Sequence, residues 1–449
     1  MNRGDLIQAG FTATQLKTLV MEVLDEAMQQ GASSAEVDVG ANKGFSVTAR
    51  KGEVESVEYH QDKAIDITVY FGKRTGSSSL SDFRPEAIRL AVQAACNIAR
   101  FTDEDQYAGL ADKNLLAFNY PSLDLAYPWS MTVEQAIAMA KACEATALAY
   151  DKRITNSDGV SISTMEAWNV YGNTEGFIGI FPVTRHEMSC MLIASQGDEM
   201  QRDYSYTIAC DPQLLISASQ IAEEAAARTV RRLNARCLTT RRVPIIFAAE
   251  EARGLLGHFM AAITGSHLYR KTSFLLDQLG KPIFPSHISI EEHPHLAKGL
   301  GSAPFDDDGV ATRPNIFIKE GILQSYCLGI YAARKLGLQT TGNADGAHNV
   351  SITTGKKELP ALLKTMGTGL LVTELMGQGI NLVTGDYSRG ATGFWVENGE
   401  IQYPVEEITI AGNLREMYKN LVEVGSDIDV RGNIRTGSIL LEEMMVAGN

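Results

Sequence analysis

The sequence contains three pairs of strand-like stretches, and each pair is joined by a two-residue turn ending in glycine. In the first pair apolar and polar residues alternate. Alternation with a period of two indicates a β-strand with one buried face, and a two-residue glycine turn reverses the chain into an antiparallel hairpin. The turns therefore predict antiparallel sheets in both halves of the chain. They are Lys51-Gly52 between 44–50 and 53–59, Glu320-Gly321 between 316–319 and 322–326, and Asn398-Gly399 between 394–397 and 401–403.

Helical periodicity, with apolar residues three and four apart, occurs between these strands. Near the amino end, further alternating stretches at 35–39 and 64–71 extend the first hairpin into a predicted antiparallel meander. From Val243 the stretch VPIIFA reads as a buried strand that runs directly into a helix, which Gly265 ends. Helices are predicted over 14–30, 85–99, 133–150, 214–233 and 250–264.

Together these elements predict an α+β fold, with a mixed amino-terminal region of helices and an antiparallel meander, and a β-rich carboxyl-terminal domain. At roughly 100 to 200 residues per domain, the 449 residues allow several domains. The segment 103–129, with a strongly polar start and few periodic features, reads as a connection. We predict an amino-terminal α+β subdomain at 1–112, a middle α+β subdomain at 113–238 and the β-rich domain at 239–449.

Charge and cysteine usage narrow the classes of partner. The formal charge of −14 repels polyanions and anionic membranes, so we expect no direct nucleic-acid or membrane partner. Six scattered cysteines without a C-x-x-C pair are typical of reduced thiols. The sequence has no apolar signal segment and no run of about 18 apolar residues. These features predict a cytoplasmic protein.

One basic run stands out in this acidic chain, between the fourth predicted helix and the strand at Val243. A solvated helix end followed by a linker is the favoured interpretation, because cations complement the carboxyl end of a helix dipole. An anion-binding site is the alternative. The run consists of Arg228, Arg231, Arg232, Arg236, Arg241 and Arg242.

Common catalytic motifs are not found. The glycine pairs of 367–369 and 377–379 do not continue into a Rossmann or P-loop fingerprint, and they are interpreted as turns and close packing. No G-x-S-x-G elbow and no His-Glu-x-x-His helix occurs. The densest group of potential metal ligands, 291–295, is interpreted as a surface or substrate-contacting loop rather than a metal site.

Several runs nevertheless resemble a known family. Residues 291–312, 367–379 and 385–413, together with 46–79 and 152–159, are similar to the TldD/PmbA family and to its PmbA/TldE branch. The resemblance covers nearly the whole chain. It implies an α+β amino region, a β-rich carboxyl domain and membership of cytoplasmic metalloproteases that process or degrade peptides, also described as modulators of DNA gyrase. It further implies a heterodimer with a TldD-type paralogue.

The sequence departs from the family at its catalytic pattern. The TldD paralogue carries His-Glu-x-x-x-His on the helix after a buried strand, and a cysteine near the carboxyl end. By position, Glu250 replaces the first His, Glu251 matches the Glu, Leu255 replaces the second His and Thr436 replaces the Cys. The resemblance therefore implies no metal and no cofactor in this chain alone, and zinc or iron in the TldD-type partner. Both acids also have an ordinary interpretation, as first-turn residues that complement the helix dipole.

The sequence-based hypothesis is thus a PmbA/TldE-like subunit of a two-component peptidase that acts on unfolded peptides. In isolation it could form a homodimer. Glu251 is the candidate catalytic residue. A self-sufficient metallopeptidase with an atypical site of Glu250, Glu251 and His258, or a non-enzymatic modulator of gyrase or its inhibitors, remain alternatives. Candidate substrate-binding residues are His293, His295, Tyr387, Arg389 and Trp395, and for Tyr387 and Trp395 packing in a β core is the favoured role.

Overall fold

The computed structural model describes residues 10–344 and 346–448. It confirms the α+β class, with antiparallel strand pairs in both halves and a β-rich carboxyl-terminal part. Among the described residues, no helix is long and apolar enough to cross a membrane.

A single seven-stranded antiparallel sheet organises the first half of the chain. Its strands are β1 (Ser34–Arg50), β2 (Glu53–His60), β3 (Lys63–Phe71), β4 (Arg74–Leu80), β5 (Ile154–Asn173), β6 (Ile178–Gln196) and β7 (Glu199–Ala209). Their order is β4-β3-β1-β5-β6-β7, with β2 also paired to β1. Because β1 hydrogen-bonds to β5, this sheet runs through both the predicted first and middle subdomains.

The first hairpin differs in detail from the predicted meander. The stretches 35–39 and 44–50 form one continuous strand, β1, because β5 pairs with its backbone throughout, including the polar stretch 40–43. Strands β2 and β3 both lie antiparallel along the same edge of β1, one after the other. The turn at Lys51-Gly52 is confirmed, and both residues have positive φ, 55° and 75°.

Helices cover this sheet in two groups. The first two pack on β1 and β3 around a core that includes Val20, Val37 and Val92, and the next two pack on β5 and β6 around Ala140, Ile162 and Ala225. Capping boxes at Thr12, Thr132 and Ser217 fix three helix starts. The fourth helix was predicted from 214 but begins at Ala218, because Ser217 caps it. The helices are α1 (Ala13–Gln29), α2 (Pro85–Phe101), α3 (Val133–Tyr150) and α4 (Ala218–Arg231), with short 3-10 turns at Lys113–Leu115 and Pro212–Leu214.

The carboxyl-terminal part contains a closed barrel. Its strands are β8 (Arg241–Phe247), β13 (Gly369–Met376), β14 (Asp386–Glu397), β15 (Glu400–Asn413) and β18 (Ile439–Ala447), and β16 (Leu421–Val424) joins β18. Strand β18 pairs with β8 on one side and with β15 on the other, which closes the ring. Strands β8 and β13 are parallel, so both carboxyl ends lie at the same rim of the barrel.

In the described residues, a smaller five-stranded sheet and five helices complete this part. The sheet consists of β9 (Ile290–Glu292), β10 (Asn315–Lys319), β11 (Ile322–Leu323), β12 (Val350–Ile352) and β17 (Ile434–Arg435). The helices are α5 (Ala249–Ala262), α6 (Gly265–Tyr269), α7 (Ile330–Leu336), α8 (Leu359–Met366) and α9 (Leu414–Lys419). The predicted hairpins at Glu320-Gly321 and Asn398-Gly399 are confirmed.

The glycine pairs that resembled nucleotide-binding motifs serve packing and turns. Gly367 ends α8 with a φ of 72°, and Gly377 turns the chain after β13 with a φ of 82°. A Cβ at Gly379 would lie 1.8 Å from the Ser388 carbonyl oxygen, so only glycine fits there.

Candidate functional site

A cleft of about 580 Å³ lies at the amino end of α5, between the barrel and the middle region. It opens beside the rim where β8 and β13 end. The Ala248 N–H donates to the Val372 carbonyl at 2.9 Å, and the chain then turns out of the barrel wall into α5. Glu250 and Glu251 consequently occupy the first turn of the helix and line the cleft. Helix α4 and strand β7 line it from the other side.

The Glu250 carboxylate is held by two arginines. Arg228 donates to both of its oxygens, at 2.9 and 2.6 Å, and Arg431 donates to one of them. Burial raises the pKa of the Glu250 carboxyl, but the hydrogen bonds and charges of Arg228 and Arg431 outweigh burial and lower it to about 2. Glu250 is therefore a fixed anion at neutral pH.

The arginine run at the end of α4 is part of the same ion-pair network. Its interpretation as a solvated helix end is wrong for Arg228 and Arg232, whose side chains are 20% and 11% exposed. Arg232 binds Asp203 of β7 at 3.3 Å and also binds Glu374 of β13. These side chains turn away from solvent because the barrel and β7 place carboxylates on the facing side.

A second part of the network holds the segment between β16 and β17. Asp429 accepts from Arg431 at 2.9 Å and lies 3.3 Å from Arg253 of α5. Arg253 also donates to the Arg431 carbonyl, at 2.8 Å, and to the Tyr206 hydroxyl. Charged side chains from β7, α4, α5 and this segment thus fix the walls of the cleft.

Glu251 lies one residue beyond Glu250 but is bonded differently. In the described part of the chain its carboxyl has no hydrogen bond and no ion pair. Burial and the negative charge of Glu250 raise the pKa of Glu251 to about 7, against the opposing charge of Arg389. Glu251 therefore carries a proton at a pH where Glu250 does not.

His258 follows Glu251 on α5 and packs against β14. Its ring centroid lies 6.1 Å from that of Tyr387 in an edge-to-face arrangement, and its Nε2 is buried without a hydrogen bond. Burial and then the charge of Arg389 lower the pKa of His258. The structure thus brings four candidate residues together where α5 contacts β14. Glu251 and His258 belong to the alternative catalytic site, and Tyr387 and Arg389 are candidate substrate-binding residues.

Two of the positions matched to metal ligands point into the protein. Leu255 is buried in the main carboxyl-terminal core, where its carbonyl accepts from the Tyr418 hydroxyl. Thr436 is buried, and its Oγ1 donates to the Gly437 carbonyl at 2.9 Å. The Thr436 carbonyl accepts from the Asp429 N–H, which connects this residue to the wall of the cleft.

Comparison with known proteins identifies the family. Family models match PmbA/TldA metallopeptidase domain 1 at residues 35–99, the central domain at 126–233 and the C-terminal domain at 240–448. The chain is 50% identical to the metalloprotease PmbA of Escherichia coli O157:H7, over 95% of this chain and 96% of that protein. The chain belongs to the PmbA/TldD family.

Solved structures share the fold of this PmbA/TldD chain. A Bacteroides thetaiotaomicron protein described as a proposed modulator of DNA gyrase is 27% identical, with a TM-score of 0.92 over 97% of this chain and 99% of that one. TldE from Thermococcus kodakarensis has a TM-score of 0.79 over 96% of this chain and all of its own, at 20% identity. This second likeness concerns the fold alone.

A metal ion, which the PmbA/TldD family implies, does not fit the side chains at the matched positions. Glu250 is already bound by two guanidinium groups, Leu255 has no donor atom and Thr436 offers a single hydroxyl. Catalytic zinc sites commonly have three protein ligands. No group of three His, Cys, Asp or Glu side chains that could hold a metal occurs in residues 10–344 and 346–448.

The remaining candidate residues lie apart from the cleft. His293 is exposed, 3.7 Å from Glu291, and His295 shares a 2.9 Å hydrogen bond with Thr312. Trp395 is buried in the main core and donates to Glu397 at 2.8 Å, which favours its packing role. Their role as substrate contacts stays a prediction.

Sequence reasoning missed Arg228, Arg431 and Asp429 as parts of the site. The arginine run was visible in the sequence, but its ion-pair partners belong to β7, β13 and α5. Sequence spacing does not show that these elements contact the run. The stretch 427–431 carries no recognisable motif.

Proposed function

We propose that this chain is the PmbA/TldE-type subunit of a two-component peptidase, in which a TldD-type paralogue holds the metal and hydrolyses peptides. Membership of the metalloprotease family supports the peptidase activity of the assembly. The single observation that supports assigning the metal to the partner, and not to this chain, is the bonding of Glu250. At the position of a family ligand, its carboxylate binds Arg228 and Arg431 instead of being open to a cation.

The ion pairs support a role of this cleft in binding rather than in hydrolysis. Two guanidinium groups compensate the charge of Glu250 and repel a divalent cation. Glu251 keeps the position of the general base, but hydrolysis at a metal site also needs a bound and activated water. We therefore assign to this chain the subunit interface and a binding surface for unfolded peptides in the cytoplasm, and assign the reaction to the partner.

Peptide cleavage and metal content, measured together, test this proposal. The protein is assayed alone, after mixing with its TldD-type paralogue, and against the paralogue alone. We expect no stoichiometric metal and no cleavage from this chain by itself, and full cleavage only from the mixture. A partner variant that lacks the Glu of its His-Glu-x-x-x-His motif should abolish turnover in the mixture.

Other results would favour the alternatives. Stoichiometric zinc or iron with cleavage by this chain alone would overturn the proposal and indicate a self-sufficient enzyme. An equally active paralogue without this chain would show that the subunit is not needed for turnover. Stable binding to gyrase, without a peptidase partner, would favour the role of a non-enzymatic modulator.

A further inference from the structure

Two oppositely charged side chains in the cleft form no ion pair with another described residue. Arg231, at the end of α4, is exposed and lines the cleft. Its guanidinium carbon lies 4.9 Å above the ring of Phe394, and within the described residues it forms no ion pair. Glu251 lines the same cleft without a hydrogen bond or an ion pair, as described above. The cleft thus presents one available cation and one available carboxylate.

Every other carboxylate that lines the cleft is already bonded to a donor. These bonds leave Arg231 and Glu251 as the charged groups that a ligand can engage without breaking an existing pair. Asp203 binds Arg232, Glu224 binds Arg228, Glu250 binds Arg228 and Arg431, Glu374 binds Arg232, Asp427 binds Ser438, and Asp429 binds Arg431.

Apolar side chains form the rest of the rim. Tyr204 and Ile216 line the cleft from the middle region, and Ile401, Ile428 and Val430 line it from the barrel side. Each is between 37% and 54% exposed, although most large apolar side chains of the protein are buried. Exposed apolar residues that surround a concave site are typical of a ligand-binding surface.

We propose that the cleft binds short zwitterionic peptides, with the terminal carboxylate on Arg231, the terminal ammonium on Glu251 and apolar side chains against the rim. This inference rests on the proposed function, because short peptides are the products of a peptidase and small members of its substrate class. A volume of about 580 Å³ lies within the range of small-molecule sites. A tripeptide, about 10 Å long when extended, is of suitable size.

Charge complementarity selects a zwitterion over a simple ion. An inorganic anion would pair with Arg231, but Glu251 would stay unpaired and would repel the anion. A simple cation would pair with Glu251, but Arg231 would stay unpaired and would repel the cation. A ligand that carries both charges gives Arg231 and Glu251 a partner each, so neither side chain loses water without gaining an ion pair. The ring of Phe394 beneath Arg231 restricts its guanidinium, which reduces the entropy lost when a carboxylate binds.

Binding of the tripeptide Ala-Leu-Ala to the full-length chain, by calorimetry at about pH 7 where amino termini are charged, tests the site. Its N-acetylated and C-amidated forms each remove one charge. We expect each modification, and each of Arg231→Gln and Glu251→Gln, to weaken binding about tenfold or more. Arg231→Gln should then have no further effect on the amidated peptide, and Glu251→Gln none on the acetylated one.

Arg236→Gln is the matched control. Arg236 also lies over an aromatic ring, with its guanidinium carbon 4.5 Å from the centre of Tyr403, but it does not line the cleft. Its replacement should leave affinity unchanged. The proposal is overturned if the tripeptide does not bind, if all of its forms bind equally, or if inorganic phosphate binds at Arg231 and the peptide does not compete. If the mixture with the paralogue still cleaves peptides, these results would contradict only the peptide site and not the proposed function.

Discussion

The Glu250 carboxylate and the Arg228 guanidinium form a two-point hydrogen bond that joins α5 to α4. Glu250 belongs to the first turn of α5, and Arg228 belongs to the middle region. Glu250, which the sequence resemblance places at a metal-ligand position, is thus part of the contact between two regions of this chain. The positive charge beside this carboxylate comes from Arg228 and Arg431.

Removal of Arg228 should strongly destabilise the protein. Arg228→Ala leaves a largely buried Glu250 carboxylate with only Arg431, and it also leaves Glu224 without its partner. We expect a loss of about 3 kcal/mol in the free energy of unfolding, since breaking a buried ion pair costs about 3 to 5 kcal/mol. Denaturant unfolding measures this loss.

An exposed ion pair provides the control for Arg228. Arg242 and Glu443 lie 3.1 Å apart with side chains 62% and 48% exposed. Arg242→Ala should cost less than about 1 kcal/mol. Equal effects of the two substitutions would mean that the buried network contributes no more than a surface pair.

A second prediction concerns the hairpin turn of the first sheet. The buried Glu144 of α3 accepts the N–H groups of Lys51 and Gly52, at 2.8 and 2.7 Å. Glu144→Gln replaces one of the two acceptor oxygens with a donor, so we expect a loss of about 1 to 3 kcal/mol in stability. Glu53→Gln, beside the same turn but exposed, should change stability by less than about 0.5 kcal/mol. A stable Glu144→Gln protein would show that water satisfies these N–H groups equally well.

Local features of the fold were predictable because they depend on neighbouring residues. The positive φ of Lys51 and Asn398 follows from glycine turns, and the start of α3 follows from Thr132 and Gln135, which bond each other's backbone. The side chain of Glu144 was not predictable in the same way, since its partners lie 92 and 93 residues away in the sequence. Alternation also failed to predict that β1 continues through 40–43, where pairing with β5 decides the conformation.

The candidate site depended still more on distant contacts. Spacing placed Glu250 and Glu251 side by side at the start of a helix, which the structure confirms. It could not distinguish them, because the difference arises from Arg228 and Arg431, which both bond to Glu250 and not to Glu251. The closed barrel was also beyond sequence reasoning, since it requires β18 to pair with strands far away along the chain.

A third prediction separates core packing from peptide contact at Trp395. Its side chain is buried, and the Arg241 guanidinium covers its ring at 5.2 Å. Trp395→Ala should therefore lower stability by about 3 to 5 kcal/mol, as large-to-small changes in a core do. The exposed Val422→Ala should cost less than about 1 kcal/mol. A stable Trp395→Ala protein with weaker peptide binding would instead assign Trp395 to a substrate surface.

The fourth prediction follows from the pKa of Glu251. A carboxyl whose pKa rises on folding, here from 4.5 to about 7, binds more protons in the folded than in the unfolded state between these values. The contribution of Glu251 to stability is therefore full below pH 4.5 and falls as the pH rises to about 7. Glu251→Gln cannot ionise and does not lose this contribution.

Denaturant unfolding of the wild type and of Glu251→Gln across this pH range measures the difference in their free energies of unfolding. One pKa unit corresponds to about 1.4 kcal/mol, and solvent that reaches the cleft reduces this energy. Between acid and neutral pH, the free energy of unfolding of Glu251→Gln should therefore increase by about 1 to 3 kcal/mol relative to that of the wild type. Asp38→Asn is the comparison, because burial raises the pKa of Asp38 to about 8 and its gain should continue to a higher pH. A difference between Glu251→Gln and the wild type that does not vary with pH would mean that Glu251 ionises near its ordinary pKa. The carboxylate would then be well solvated in the cleft rather than held there without a counterion.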